Sequence, residues 1–516
     1  MSANSGFLIC LLAVAGVQCV ADRSRPAADA STVTVLYGED EWTLSPAASV
    51  FAQFLVFLPL VTYAGEGGES RPRLAERWEH SPDGRTWRFY LRKDVRWHDG
   101  TPVTAHDVKF TMDLWSHPVV HAEVGCPLES VTVLDDHTLE VVGREPGRCL
   151  LWGWPVFYPK HLLGGLDPEE FNRWEFWTHP VGNGPYRYVR HVPKIMMELE
   201  ANPDYYRGKP RIERVILKFG GGSPVVELLS GNVDAAAIGL DDVLKLAEDP
   251  RFEVYHAPSP RRVQVYWNHR SELFRDPGVR RALTLAMDRR ELHRALALPD
   301  NLPLTDGVYT IRQFRERRLP EPLPYDPDAA AELLTQAGWR VRGPDAARQR
   351  DGSRFRFTLI VPSDVPSEPM LLRAAILLQE QLSRVGIRME VQRLENLVVR
   401  ERLRAGEYEA AIHWTGSSVG AHAGFLGEGS ATGYANPTVE ELLEKAVASV
   451  ELEERDRIFQ ELTEIVAADL PVTFLFPEVQ SWAVHRRIRG LESPFRVDPI
   501  FYMEELWLED EAYESR

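Results

Sequence analysis

The chain has 516 residues, 44% hydrophobic and 26% charged, with 76 acidic against 59 basic side chains and a formal charge of -17. That length exceeds a single hydrophobic core, so two or three domains are expected. No Lys/Arg cluster longer than a few residues interrupts the acidic balance, which argues against nucleic acid as a partner.

Residues 7–17 form an apolar run with small residues behind it, the length of a signal h-region and not of a membrane span. Residues 1–21 are therefore expected to be an export segment, and 22–31, polar with Ala and Pro, a tether. No Lys or Arg precedes the run, and Gly16-Val17-Gln18 departs from a lipid-attachment box before Cys19, so lipid-anchored and freely secreted forms both stay open. The other apolar run, 51–64, contains Pro59, is too short to span a bilayer and reads as buried core. Cys10 and Cys19 fall in the export segment, which leaves Cys126 and Cys149. Between them, 131–134 and 138–142 alternate as strands around Asp135-Asp136-His137, placing the two cysteines at similar distances from the turn. In an exported protein a disulfide between them is expected.

The mature chain reads as successive strand and helix units without repeats, the pattern of α/β lobes. Residues 33–37 are a β-branched opening strand, and in 86–92 alternation puts Trp87, Phe89 and Leu91 on one face. Thr104 can cap a helix with Asp107 three residues on, and Val108, Met112 and Trp115 then share its apolar face. Asp276-Pro277 starts a helix whose buried face is Val279, Leu283 and Ala286. Gly338 and Gly386 stop helices at 327–337 and 370–385, and each is followed by a strand-like run. Beyond them come a strand at 387–394, a helix around 400–405, a strand at 408–414, acidic-faced helices over 438–468 and a fully apolar strand at 472–476.

Five groups of segments resemble, in order, the signature stretches of the extracellular solute-binding family that includes the oligopeptide and dipeptide-binding proteins. The first is PRLAERW at 72–78 with SPDG at 81–84, LRKDV at 91–95, HDGTP at 98–102 and Asp107-Val108. GNGPY at 182–186, NPDYY at 202–206 and GKP at 208–210 follow, then LSGNVD at 229–234. Asn268 with VRRAL at 279–283 and MDR at 287–289, and YDP at 325–327 with Ala337-Gly338, complete the set. Several ordered motifs over nearly the whole mature chain are hard to match by chance.

The resemblance implies a two-lobed periplasmic-binding fold of type II with an extra subdomain. Its expected division is lobe I from 32–65, 182–262 and 483–516, a small subdomain at 66–181, and lobe II at 263–482. Crossings near 262–268 and 477–482 would act as hinges that let the lobes close on a ligand. It further implies the substrate-binding component of an ABC importer: a monomer outside the cytoplasm that takes a small solute to a membrane permease and its ATPase. No catalytic residue, metal or cofactor is expected.

The informative stretch for ligand choice is His413-Trp414-Thr415-Gly416 followed by Ser417. In the dipeptide-binding branch a similar Trp-Thr-Gly precedes an aspartate that pairs with the peptide α-ammonium; here Ser417 stands there. A buried ammonium without a carboxylate costs several kcal/mol, so ordinary peptides with a free amino terminus are poor ligands. Modified peptides, opine-like compounds, oligosaccharides and metal chelates stay open. Aromatic residues where the family lines its cleft are Tyr37, Trp42, Trp152, Trp154 and Trp267, and Trp414 joins them as a pocket candidate. Arg312 and Arg315 are candidate carboxylate holders set against a solvated-surface reading, and His413 and His422 are too few to define a metal site. The rival function is a serine hydrolase, because Gly416-Ser417-Ser418-Val419-Gly420 matches Gly-x-Ser-x-Gly with His485 downstream. No helix pattern follows the serine, and no acidic partner is identifiable.

Overall fold

The computed structural model describes residues 31–37, 50–63, 70–117, 120, 127–147, 151, 156–220, 222–299, 302–316, 318–342, 346–365, 367–416, 422–491 and 499–509. The expected export segment, its tether, Trp42, Cys126, Cys149, Trp152, Trp154, Ser417 and Ser418 lie outside these residues. Among the described residues no helix is long and apolar enough to cross a membrane.

One mixed ten-stranded sheet organises the molecule. At its centre lie two long antiparallel strands, Phe252–Trp267 and Val472–His485. On one side of them the three parallel strands Ala410–Thr415, Arg356–Pro362 and Arg388–Leu394 complete one half. On the other side Ala235–Ile238, Thr32–Leu36 and Arg214–Lys218 run parallel to one another, and Met196–Ala201 and Tyr186–Val192 finish the edge. The two long strands change partners along their length. Residues 252–258 pair with 479–485 beside the first half-sheet of the chain, whereas 262–266 pair with 472–477 beside the second. Between Pro258 and Arg262 the register breaks, and a proline cannot donate to the ladder it sits in.

The crossings therefore lie at 258–262 and 477–479, slightly earlier in each strand than expected from the sequence. Val479 to Trp482, expected in lobe II, are laddered to lobe I: Trp482 pairs with both Tyr255 and Ala237. Its side chain also joins the lobe I apolar cluster, because the strand passes the hinge before the sequence shows any change of character. Apolar packing divides in the same way, with Val33, Val35, Leu199, Val215 and Leu217 in one cluster and Val263, Val265, Leu283, Leu359 and Leu378 in another.

A separate four-stranded antiparallel sheet, in the order Ala75–His80, Thr86–Leu91, Thr138–Gly143, Leu128–Asp135, forms the small subdomain. Trp87, Phe89 and Leu91 point into its core as their alternation requires. Helix Ala105–Trp115 covers that face and carries the Thr104/Asp107 capping box. Leu128 lies opposite Gly143, so the chain enters and leaves this hairpin side by side.

In the second half Asp276 caps the helix Pro277–Leu285 by accepting from Gly278 N. Gly338 and Gly386 take φ of +87° and +81° after the helices Pro327–Gln336 and Glu368–Arg384, a backbone region that glycine enters without a Cβ clash. The apolar strand expected at 472–476 is the first part of a strand three times as long, and 51–64 folds into helix Val50–Val56 and strand Val61–Tyr63, with Leu55 to Leu60 buried.

Candidate ligand-binding cleft

The directions of the strands locate the cleft. Strand Ala235–Ile238 runs antiparallel to Val472–His485 and so points its carboxyl end at the crossing, as do its parallel neighbours Thr32–Leu36 and Arg214–Lys218. From the other half Ala410–Thr415 and its parallel neighbours point their carboxyl ends at the crossing too. In open α/β sheets ligands bind beyond the carboxyl ends of the strands, and here two such edges face one another across the hinge. Tyr37, half-buried, follows the first of these edges, and Trp414 and Thr415 close the second.

Among the described residues, contacts between the halves include two beside this gap. Arg373 donates Nη1 to Asp241 Oδ1 at 2.9 Å and Nη2 to Oδ2 at 3.2 Å, joining helix Glu368–Arg384 to helix Leu240–Ala247. At the other flank the small subdomain meets the end of helix Pro437–Ala448. A Cβ on Gly147 (φ +121°) would stand 2.2 Å from Val447 O, and one on Gly84 (φ +66°) 2.4 Å from Val450 Cγ2. Only bare backbone permits that approach.

On the lobe II edge the side chains alternate between two buried faces. Val263, Val265 and Trp267 enter the apolar cluster, and Arg262, Gln264 and Tyr266 take the opposite face, with Thr415 and His413 directly across from Arg262 and Gln264. Burial holds His413 well below the usual imidazole range, at about 4. Its Nδ1 approaches Trp414 O at 2.8 Å, its Nε2 has no hydrogen-bond partner, and neither amide atom of Gln264 has one. Trp414, half-buried, lies against the other face with the Arg261 guanidinium 5.4 Å from its ring centre. Arg261 also reaches Glu478 at 3.4 Å.

Residues 69–436 match the profile described as bacterial extracellular solute-binding proteins, family 5 Middle. The chain belongs to that family. It is 24% identical over 466 residues to the oligopeptide-binding protein AppA of Bacillus subtilis, covering 84% of this chain and 83% of that one. Among solved structures, a peptide-binding protein AppA from Clostridium difficile superposes with a TM-score of 0.76 at 20% identity, covering 93% of this chain and 100% of the other. NikA from Brucella suis, in complex with Fe(III)-EDTA, superposes with a TM-score of 0.75 at 20% identity over the same shares. The α/β two-lobed architecture is thus that of this family, and its work is solute binding and not catalysis.

Against this frame one expected family 5 contact moves. Trp267 was expected to line the cleft, but it is fully buried at the far end of its strand, five residues from Arg262. Its ring packs against Phe274 and Phe357, at 5.0 and 6.0 Å between centroids, and its Nε1 donates to Thr473 Oγ1 at 3.0 Å. Strand alternation sends it to the apolar face, and about 17 Å of extended chain separates it from the crossing. Arg312 is committed to acids of its own, donating to Glu316 and Glu453 at 3.0 and 2.9 Å. His422 Nε2 accepts from Arg262 Nη2 at 2.6 Å, which ties that atom to a guanidinium instead of leaving it for a metal.

Of the hydrolase pair, His485 stands opposite Phe252 at the lobe I end of the second long strand, eight residues beyond Pro477, or about 26 Å of extended chain, and Ser418 lies outside the described residues. The residues that sequence reasoning missed are Arg262 and Gln264. Their signal was present as a polar-apolar alternation inside a strand whose two faces are both buried.

Proposed function

We propose that this family 5 protein is the solute-capturing component of an ABC importer, closing its two lobes on a small solute that it hands unchanged to a membrane permease. The observation that carries the reading is the pair of facing carboxyl edges between which two long strands cross, with a register break at 258–262. Such a crossing lets the halves separate without unfolding, and a solute that touches both favours the closed form by its preference for that form. The relatives' ligand names support breadth within one fold: AppA of Bacillus subtilis is named for oligopeptides, whereas the NikA structure holds a metal chelate.

Within that range, Ser417 in place of the ammonium-binding aspartate of the dipeptide-binding branch favours a solute with no free α-amino group. Tyr37, Trp42, Trp154 and Trp414 supply the aromatic surface that such a solute would be buried against. Export follows from residues 1–21, with anchoring through Cys19 and release as the two outcomes of one intact-mass measurement on protein from its own source. Titration calorimetry with unmodified di- and tripeptides tests the ligand class. Weak or absent binding is expected, and submicromolar binding would overturn it. Small-angle scattering of protein purified with and without its co-purifying solute tests closure, and an unchanged radius of gyration on loading would remove the hinge mechanism.

A further inference from the structure

Among the described residues, lobe II buries four guanidiniums, and three are supplied from within. Arg289 grips Asp306 with both Nη atoms, at 2.5 and 3.1 Å, and also donates to Phe474 O and Leu323 O. Arg280 spends its N–H groups on the carbonyls of Leu470, Phe274, Arg275 and Asp469. Arg348 does the same with Val385, Trp339 and Ala331, and adds Thr335 Oγ1.

The fourth, Arg262, is 2% exposed and is treated differently. Nη2 donates to His422 Nε2 at 2.6 Å and Nη1 reaches Gly307 O only at 3.4 Å, while Nε has no partner. Among the described residues no carboxylate faces it. Burial pulls its pKa below the ordinary value, and the only groups working the other way are the tyrosines Tyr309 and Tyr266. The rings of Tyr309 and Phe474 lie beside the guanidinium, with their centres 4.2 and 5.1 Å from Cζ, and the Tyr309 side chain is hydrogen-bonded to it. Arg262 also lines a cavity of about 10 Å³ together with Thr305, Tyr309, Phe474 and Pro477. Gln264 and His413 add unsatisfied polar atoms on the same face of the sheet.

We propose that Arg262 is the receptor for a carboxylate on the transported solute, held at the hinge end of the cleft. This rests on the solute-binding reading above and narrows the solute to an acid. A buried guanidinium with an unpartnered N–H and no acid of its own can donate a charge-assisted hydrogen bond to a carboxylate oxygen. The adjoining space takes one oxygen-sized group, so a single carboxylate oxygen enters it and the body of the solute lies outside, in the cleft. A buried charge without a counter-ion burdens the empty protein, and a charge that waits for its partner is retained for what it binds.

Thermal melting of the wild type, Arg262→Met and Arg262→Lys tests this with four probes: succinate, citrate, N-acetyl-dialanine and, as the neutral control, N-acetyl-dialanine amide. At least one carboxylate probe is expected to raise the wild-type midpoint by about 2 °C or more, and the amide is not. Arg262→Met, which keeps the stem and loses the charge, should melt no lower than wild type without probe and should not respond. Arg262→Lys should keep part of the response. The assignment is overturned if no carboxylate shifts the wild type, if Arg262→Met responds equally, if the amide stabilises as well as the acid, or if Arg262→Met alone melts several degrees low while Arg262→Lys does not. Compaction of the protein by a neutral solute would sink the acid and leave the importer reading standing.

Discussion

The two ends of the strands that build lobe II are finished differently. At the far end buried polar side chains meet one another and the backbone: Trp267 donates to Thr473, Thr284 and Thr473 share a hydrogen bond of 2.7 Å, and Asn268 bridges to the carbonyls of Gly406 and Tyr408. Five residues away, at the hinge end of the same strand, Arg262, Gln264 and His413 are equally deep in the molecule or nearly so, and each retains an unpartnered atom. Buried polar groups left unmet weaken a fold. One end of the sheet is built for stability, and the other gives some of it up where the solute enters.

The sharpest way to break this contrast is at its stable end. Trp267→Ala is expected to lower the unfolding free energy by about 3–5 kcal/mol in urea denaturation while the folded fraction keeps its solute affinity. A loss of affinity with unchanged stability would move Trp267 back to the cleft.

Acid tests both ends together, because burial holds His269 and His413 each at about 4. Above about pH 7.5 both are essentially neutral in either state and contribute little pH dependence. As pH falls from there towards 4 the unfolded chain binds protons that the folded one refuses, so stability is lost across that window by on the order of 1–3 kcal/mol for each histidine. Denaturation midpoints at pH 7, 6, 5 and 4 should record it, and His413→Gln should flatten part of the slope. An unchanged slope in that variant would mean His413 is charged in the folded protein.

At the hinge end, Trp414→Ala should weaken solute binding by on the order of 1–3 kcal/mol with less than about 1 kcal/mol lost in stability, the reverse of Trp267→Ala. Calorimetry with the co-purifying solute reads the first quantity, and unchanged affinity would return Trp414 to the core. The smallest effect is expected at Asp241→Asn. Its partner Arg373 is 44% exposed and Asp241 itself 67%, so the pair is worth less than about 1 kcal/mol and less again in high salt. Scattering of the variant should show a slightly larger mean radius, and a large opening would make this ion pair, and not the solute, the main closure contact.

The local elements were legible because their causes are local. Thr104 with Asp107, Asp276 with Pro277, and Gly338 and Gly386 after their helices act within a few residues of themselves, and the structure places helix starts and stops at each. The alternation of Trp87, Phe89 and Leu91 was equally readable, since period two needs no knowledge of the partner strand. Ligand-facing positions were harder. Trp267 and Trp414 look alike in sequence, each an aromatic residue near the end of a β-branched or apolar run. What separates them is which end of the sheet each occupies and which way its strand runs.

By itself, the sequence determined the class of fold, the family and the order of elements, since propensity, capping and ordered motifs are written in short stretches of chain. Only the tertiary structure decided that Pro258 to Arg262 and Pro477 to Val479 are the crossings, that Trp267 is core, and that Arg262 is buried without a carboxylate. Each of those depends on residues some 150 to 220 positions apart becoming neighbours across a strand pair, and no local pattern records whether a distant segment will bring a charged partner or leave the space for a ligand.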